Sequence, residues 1–324
     1  FPAAHAAVAS VRWAQRDEAA AAERYRVLAK AGGSTDDEIA VRSALVGARL
    51  FDRQDRNKAT ELYERVIELR PGQPEATDAL MTRYRESGRV HDLIRLLRAR
   101  IASSAVPATQ LADHLTLAEL YLDSLDDPTS ARDVIDRALE LAPELGAPET
   151  LLARAEIAVG ETATAAKSLE RAAEKCRAAG DVRGQTDALM HAAALWSDLG
   201  RPDRALTTYE QVLVARPEAV EALAGAARTK ALGGDHAGAA ELWQRLVDTS
   251  TDVPTKVAEY SVELGIARMA QGDLAAARNA FAWASHRGSA EIQVRAHRLL
   301  SEAASVGEDG ETAADEINAA ITLA

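Results

Sequence analysis

"DRNKATELYERVIELRPGQPEA", residues 55–76, carries the pattern that decides the fold. Ala59 is followed four positions on by Tyr63 and three further on by Val66, so one small and two bulky side chains share a single helical stripe. Pro71 stands beyond them, where a helix cannot continue. Alone, the stretch reads as one amphipathic helix and a turn.

The grid recurs along the chain. Small, bulky and apolar residues at i, i+4 and i+7 occur at Ala21/Tyr25/Leu28, Ala131/Ile135/Ala138, Ala165/Leu169/Ala172 and Ala205/Tyr209/Val212. They continue at Ala239/Trp243/Leu246, Ala277/Phe281/Ala284 and Ala313/Ile317/Ala320, with a weaker copy at Leu93/Leu97/Arg100. Successive anchors lie 34 to 40 residues apart. A fixed period of that size marks a stacked array of helix pairs.

Each anchor has an upstream partner helix. An apolar residue stands thirteen positions earlier every time, from Val8, Val46 and Leu80 through Leu264 and Leu300. The next residue is usually small, as at Ala9, Gly47, Ala153, Ala193, Ala227, Gly265 and Ser301, which lets two helices approach closely. Gly88, Gly160, Gly200, Gly234 and Gly272 fall five positions before their anchors and predict a left-handed end to the first helix. Pro71, Pro143 and Pro217 close the second. The units are expected at 1–36, 37–73, 74–107, 108–145, 146–181, 182–218, 219–254, 255–291 and 292–324. In the third, Leu93 replaces the small anchor and Arg100 interrupts the seam, predicting a loosely packed or bent unit.

The segments "ALTTYEQVLVARP", "ATELYERVIELRP" and "ARDVIDRALELAP" make the chain resemble the tetratricopeptide repeat family over essentially residues 2–324. The resemblance implies an all-α, right-handed superhelical solenoid whose first helices line a concave groove, and a protein-binding adaptor or scaffold. Some members bind chaperones through a Lys/Asn clamp, and the groove positions here offer no such lysines. Others carry a ladder of groove asparagines, whereas this chain has only Asn57, Asn279 and Asn318.

Composition agrees with helices and bounds the function. Alanine, leucine, glutamate and arginine dominate, and no alternating β-branched run suggests a strand. The excess of arginine over lysine beside so much alanine fits a GC-rich genome, and a bacterial source is expected. Net charge is −12, with a slightly basic first hundred residues and a strongly acidic second hundred. That disfavours a continuous nucleic-acid track. Within the basic part, Arg83, Arg85, Arg89, Arg95, Arg98 and Arg100 read as a solvated face in preference to a binding patch.

Nothing in the sequence signals catalysis. The seven histidines show no metal-ligand spacing, Cys176 is the lone cysteine, and no phosphate loop or nucleophile elbow is present. No enzyme, metal or cofactor is expected. No apolar run reaches the roughly 18 residues a membrane helix needs. One cysteine fits a reducing compartment, so the cytoplasm is expected, with the periplasm as alternative.

The groove candidates are Trp13 and Phe51 as apolar anchors, then Asp78, Arg85, Asp113 and Asp123, and later Asp187, Met190, Glu221, Arg228, Glu259, Ile266 and Met269. Trp13 and Phe51 are weighed equally as core residues. This mixed acidic and apolar lining favours a protein or peptide partner with basic side chains. The second reading is a regulatory or positioning arm of a larger enzyme or of an envelope secretion or pilus-assembly machine. Ile317, Ile321 and Leu323 have no following helix to cover them, so further repeats or a neighbouring domain are expected at one or both ends.

Overall fold

The seam residues of residues 55–76 lie where the grid puts them. In a computed structural model describing residues 10, 17–30, 37–250, 253–307 and 309–323, Ala59, Tyr63 and Val66 are all buried. Every anchor alanine from Ala21 to Ala313 is buried too, and Ile135, Leu169, Trp243 and Phe281 are buried beside them. Tyr25 is half-buried, and Ile317 departs further, at 49% exposed.

The described residues form helices and no strand. The chain divides into two compact units, 1–143 and 144–324. The first holds α1 (Glu18–Lys30), α2 (Asp37–Phe51), α3 (Arg56–Leu69), α4 (Pro74–Glu86), α5 (Val90–Ser103), α6 (Pro107–Asp123) and α7 (Pro128–Leu141). The second holds α8 (Gly146–Ala158), α9 (Thr162–Ala178), α10 (Val182–Asp198), α11 (Pro202–Ala215) and α12 (Val220–Leu232). It continues with α13 (His236–Thr249), α14 (Pro254–Ala270), α15 (Leu274–Arg287), α16 (Ala290–Val306) and α17 (Gly310–Leu323). Within each unit every helix packs on the next, and the first helices of neighbouring pairs, α10 with α12 and α14 with α16, also touch. The fold is an all-α solenoid of helix pairs.

Local chemistry explains the boundaries. Asp55 caps α3 by accepting from the backbone N–H groups of Asn57 and Lys58 at 3.2 Å. Asp127, Asp181, Asp235 and Asp273 cap α7, α10, α13 and α15 in the same way. Pro74, Pro107, Pro128, Pro202 and Pro254 open their helices, where a missing N–H costs nothing. The five predicted turn glycines all have positive φ, and Asp126 holds the equivalent place in the α6–α7 turn at φ 50°. A short polar side chain is the type that tolerates this region best after glycine.

Close approach accounts for two other glycines. A Cβ on Gly265 in α14 would stand 2.4 Å from Phe281 Cε1, and one on Gly225 in α12 would stand 2.4 Å from Tyr209 Cζ. Phe281 is fully buried and has nowhere to retreat. Cys176, near the end of α9, is half-buried against the backbones of α8 and α10. Cβ atoms on Gly146 and Gly184 would lie 2.7 and 2.9 Å from its Sγ.

Gly265→Ala should therefore lower stability by about 1 kcal/mol in urea unfolding, because overpacking of about 1–3 kcal/mol exceeds the helix-propensity gain of about 1 kcal/mol. Gly233→Ala, which meets only backbone at 3.5 Å, should be neutral or stabilising.

Candidate functional site

The arginine run is engaged internally. Arg83 pairs with Asp52, and its guanidinium lies 4.9 Å from the centre of the Tyr63 ring. Arg89 pairs with Glu64 at 3.0 Å and with Asp92 at 2.5 Å, and Arg95 pairs with Asp92. Arg98 donates to the Tyr121 hydroxyl. Arg85 is exposed and has no ion pair among the described residues. These contacts leave no unpaired basic patch.

The third unit packs its two helices less closely than any other unit among the described helices, as its sequence predicts, and Arg100 is held there by acidic side chains. Its Nε donates to Asp113 Oδ2 at 2.7 Å, and Asp78 approaches it at 3.3 Å. Asp113 is fully buried on α6, so an ion pair stands at the seam position where the other repeats have an apolar residue. This corrects the sequence placement of Asp113 on an open face: it is buried and paired with Arg100.

The other candidates separate by exposure. Trp13 lies outside the described residues. Phe51 is buried, with Lys58 Nζ 5.3 Å from its ring centre, so it serves the core. Asp78 and Asp123 are exposed. Met190 packs half-buried on the core around Leu189 and Trp196, and Ile266 and Met269 on the cluster around Phe281 and Leu300. Arg228 is exposed, with its guanidinium 5.8 Å from the centre of the Trp243 ring.

Asp187, Glu221 and Glu259 form the clearest set. Each is exposed on a first helix, α10, α12 or α14, eighteen residues ahead of its anchor alanine. Asp187 meets only the exposed Arg183, at 3.8 Å, and the other two have no cationic partner among the described residues. Three carboxylates thus stand at one register on successive repeats.

A second feature has no counterpart in the sequence reading. Second helices α9 and α11, with first helix α10 beneath them, enclose an open cleft of about 600 Å3. Leu189 and Ala173 line it with Glu170, Glu174, Asp203, Thr207 and Gln211. Trp196 Nε1 donates to Glu170 at 2.7 Å, and the Arg204 guanidinium lies 4.7 Å from the centre of the indole. In unit one, α3, α4 and α5 enclose the equivalent cleft, of about 330 Å3. There the Tyr84 hydroxyl donates to Glu64 at 2.8 Å. Burial and then this acceptor push the Tyr84 pKa well above that of an ordinary phenol.

Residues 189–254 and 262–324 match the family model described as tetratricopeptide repeat. The helix pairs of the described residues fit a tetratricopeptide repeat array. A signal transduction ATPase with numerous domains and a tetratricopeptide repeat sensor, from Pyrococcus horikoshii, superposes with a TM-score of 0.53 at 12% identity, covering 94% of this chain and 52% of that one. MamA from Desulfovibrio magneticus RS-1 gives a TM-score of 0.47 at 18% identity over 55% of this chain and 94% of its own. YrrB, a tetratricopeptide repeat protein with an unusual peptide-binding site, gives 0.47 at 19% over 58% and 91%. No curated protein sequence matches. The repeat fold is typical of protein–protein interaction scaffolds and suits a protein or peptide partner. Among the described residues no helix is long and apolar enough to cross a membrane.

Asp113→Asn should cost about 3 kcal/mol in denaturant unfolding, because it strips a buried charge pair of one member. Leucine at both 100 and 113 should recover most of that loss. Glu149 supplies a pH test. Burial pushes its pKa up, but hydrogen bonds from Arg171 at 3.0 Å and Lys175 at 2.8 Å outweigh that and hold it below the ordinary 4.5. A depressed folded pKa means that its stabilisation is full above pH 4.5 and is lost as pH falls through the lower folded value. Urea midpoints taken between pH 7 and pH 3 should fall less steeply in Glu149→Gln than in the parent.

Proposed function

We infer that the protein is a non-catalytic interaction scaffold and that residues 144–324 hold a partner segment with basic side chains across first helices α10, α12 and α14. The supporting observation is the repeated carboxylate at Asp187, Glu221 and Glu259, exposed and lacking strong internal partners. First helices α10 and α12 touch, and packed helices lie about 10 Å apart. A polyproline-type extended chain rises about 3.1 Å per residue with three residues per turn, so every third side chain returns to the same face after about 9 Å. Such a segment with lysine or arginine at every third position matches the carboxylate ladder. Half-buried Met190 and Ile266 offer apolar contact beside it. The exposed charges steer association, and the apolar contacts prolong it.

A peptide with lysine at every third position, titrated by calorimetry against the whole chain, should bind more tightly than the same residues with the lysines made adjacent. The triple variant Asp187→Lys, Glu221→Lys, Glu259→Lys should weaken that binding by about tenfold or more while leaving the melting temperature near that of the parent. Equal affinity for both peptides, or for parent and variant, would remove the ladder from the binding surface.

A further inference from the structure

The two equivalent clefts arrange their charges differently: Asp92 and Arg95 of the first are replaced by Arg204 and Thr207 in the second, which also has Asp203 and Arg177 in its lining. Glu64 and Glu170 lie five residues after their anchors, Ala59 and Ala165. Tyr84 and Trp196 each lie nine residues before the next, Leu93 and Ala205. In both clefts the aromatic ring donates its polar hydrogen to the carboxylate. In unit one, Arg89 then completes the group: its guanidinium lies 4.5 Å from the centre of the Tyr84 ring, pairs with Glu64, and also reaches Asp92.

In unit two no cation does this. The residue equivalent to Arg89 is Arg201, which is exposed and makes no ion pair among the described residues. Arg204 covers the Trp196 ring but forms no ion pair with Glu170. Glu174 and Asp203 line the same cleft, and neither has a cationic partner among the described residues. Their surroundings also differ from those in unit one, where Glu68, the equivalent of Glu174, is paired with Arg65 at 2.8 Å. Arg171, the equivalent of Arg65, is drawn instead to Glu149 on α8. The unit-two cleft is also larger, about 600 Å3 against about 330 Å3. Short Thr207 stands where unit one has Arg95, and α9 runs on to Ala178 and adds Arg177 to the wall.

We propose that the cleft between α9 and α11 is a second binding site, which takes an arginine side chain of a partner protein. The intramolecular Arg89 shows the geometry: one guanidinium serves two carboxylates beside an aromatic ring whose polar edge already holds one of them. Glu170 is fixed in place by Trp196 and needs no reorganisation to receive it. Arginine fits better than lysine because its planar fork offers five donors to the flanking Glu170, Glu174 and Asp203, whereas an ammonium is a compact point charge. This site lies on the second helices and is separate from the carboxylate ladder on the first.

The indole N–H of Trp196 donates to Glu170 and reports the site directly. The whole chain, labelled with 15N-tryptophan and assigned through Trp196→Phe, is titrated with acetyl-Gly-Arg-Gly-amide. The Trp196 indole resonance should shift saturably, more weakly with the lysine peptide, and not at all with the neutral citrulline peptide. Glu170→Gln keeps an acceptor for the indole and should weaken the arginine peptide by about tenfold. The triple ladder variant should bind it as the parent does, which separates failure of this site from failure of the first. No saturable shift, an equal shift with citrulline, or full affinity in Glu170→Gln combined with Glu174→Gln and Asp203→Asn would overturn the proposal.

Discussion

Everything in this chain depends on how closely two helices approach at the small residues. Ala59, Ala131, Ala205 and Ala239 are fully buried in the packed stripe of their helices. Gly265 carries the same principle to its limit, with Phe281 lying where a methyl group would be. An array of thin helix pairs has little core per unit, so each crossing must pack at interior density. The sequence's richness in alanine follows from that geometry together with helix propensity.

Charge performs a different task. Where an apolar seam is broken, a salt bridge takes its place, as Asp113 does for Arg100. Where an aromatic ring reaches a helix surface, a cation often covers it, as Arg83 does Tyr63 and Arg287 does Trp283. These contacts tie neighbouring helices. Against that background the carboxylates Glu174, Asp203, Glu221 and Glu259 stand out, because most acidic groups of unit one are paired with a basic side chain.

The helix pairs were legible in the sequence because burial at a crossing permits so few residue types. Ala59, Tyr63 and Val66 announce a packed stripe on their own, and the turn glycines announce its ends. Arg100 marked a loose unit correctly, but its partner Asp113 was hidden, being thirteen positions away in another helix and outside any repeat template. Phe51 had a repeat position that suits a groove or a core equally well, and only three-dimensional neighbours decide between them. The cleft around Glu170 was hidden for a related reason. Its carboxylate and its indole are separated by a whole helix turnaround, and the informative fact is an arginine paired with Glu64 and, among the described residues, none paired with Glu170.

Cys176 has a consequence beyond packing. Its sulfur sits under two glycines, one on each flanking helix, in spaces too small even for a methyl group. Burial, and then Asp181, raise its pKa, so the thiolate is scarce at neutral pH. The thiol is half-buried, so its modification rate depends on how tightly these two backbones hold it as well as on its raised pKa. That rate reads out the local packing of α8, α9 and α10 by mass, without adding a probe.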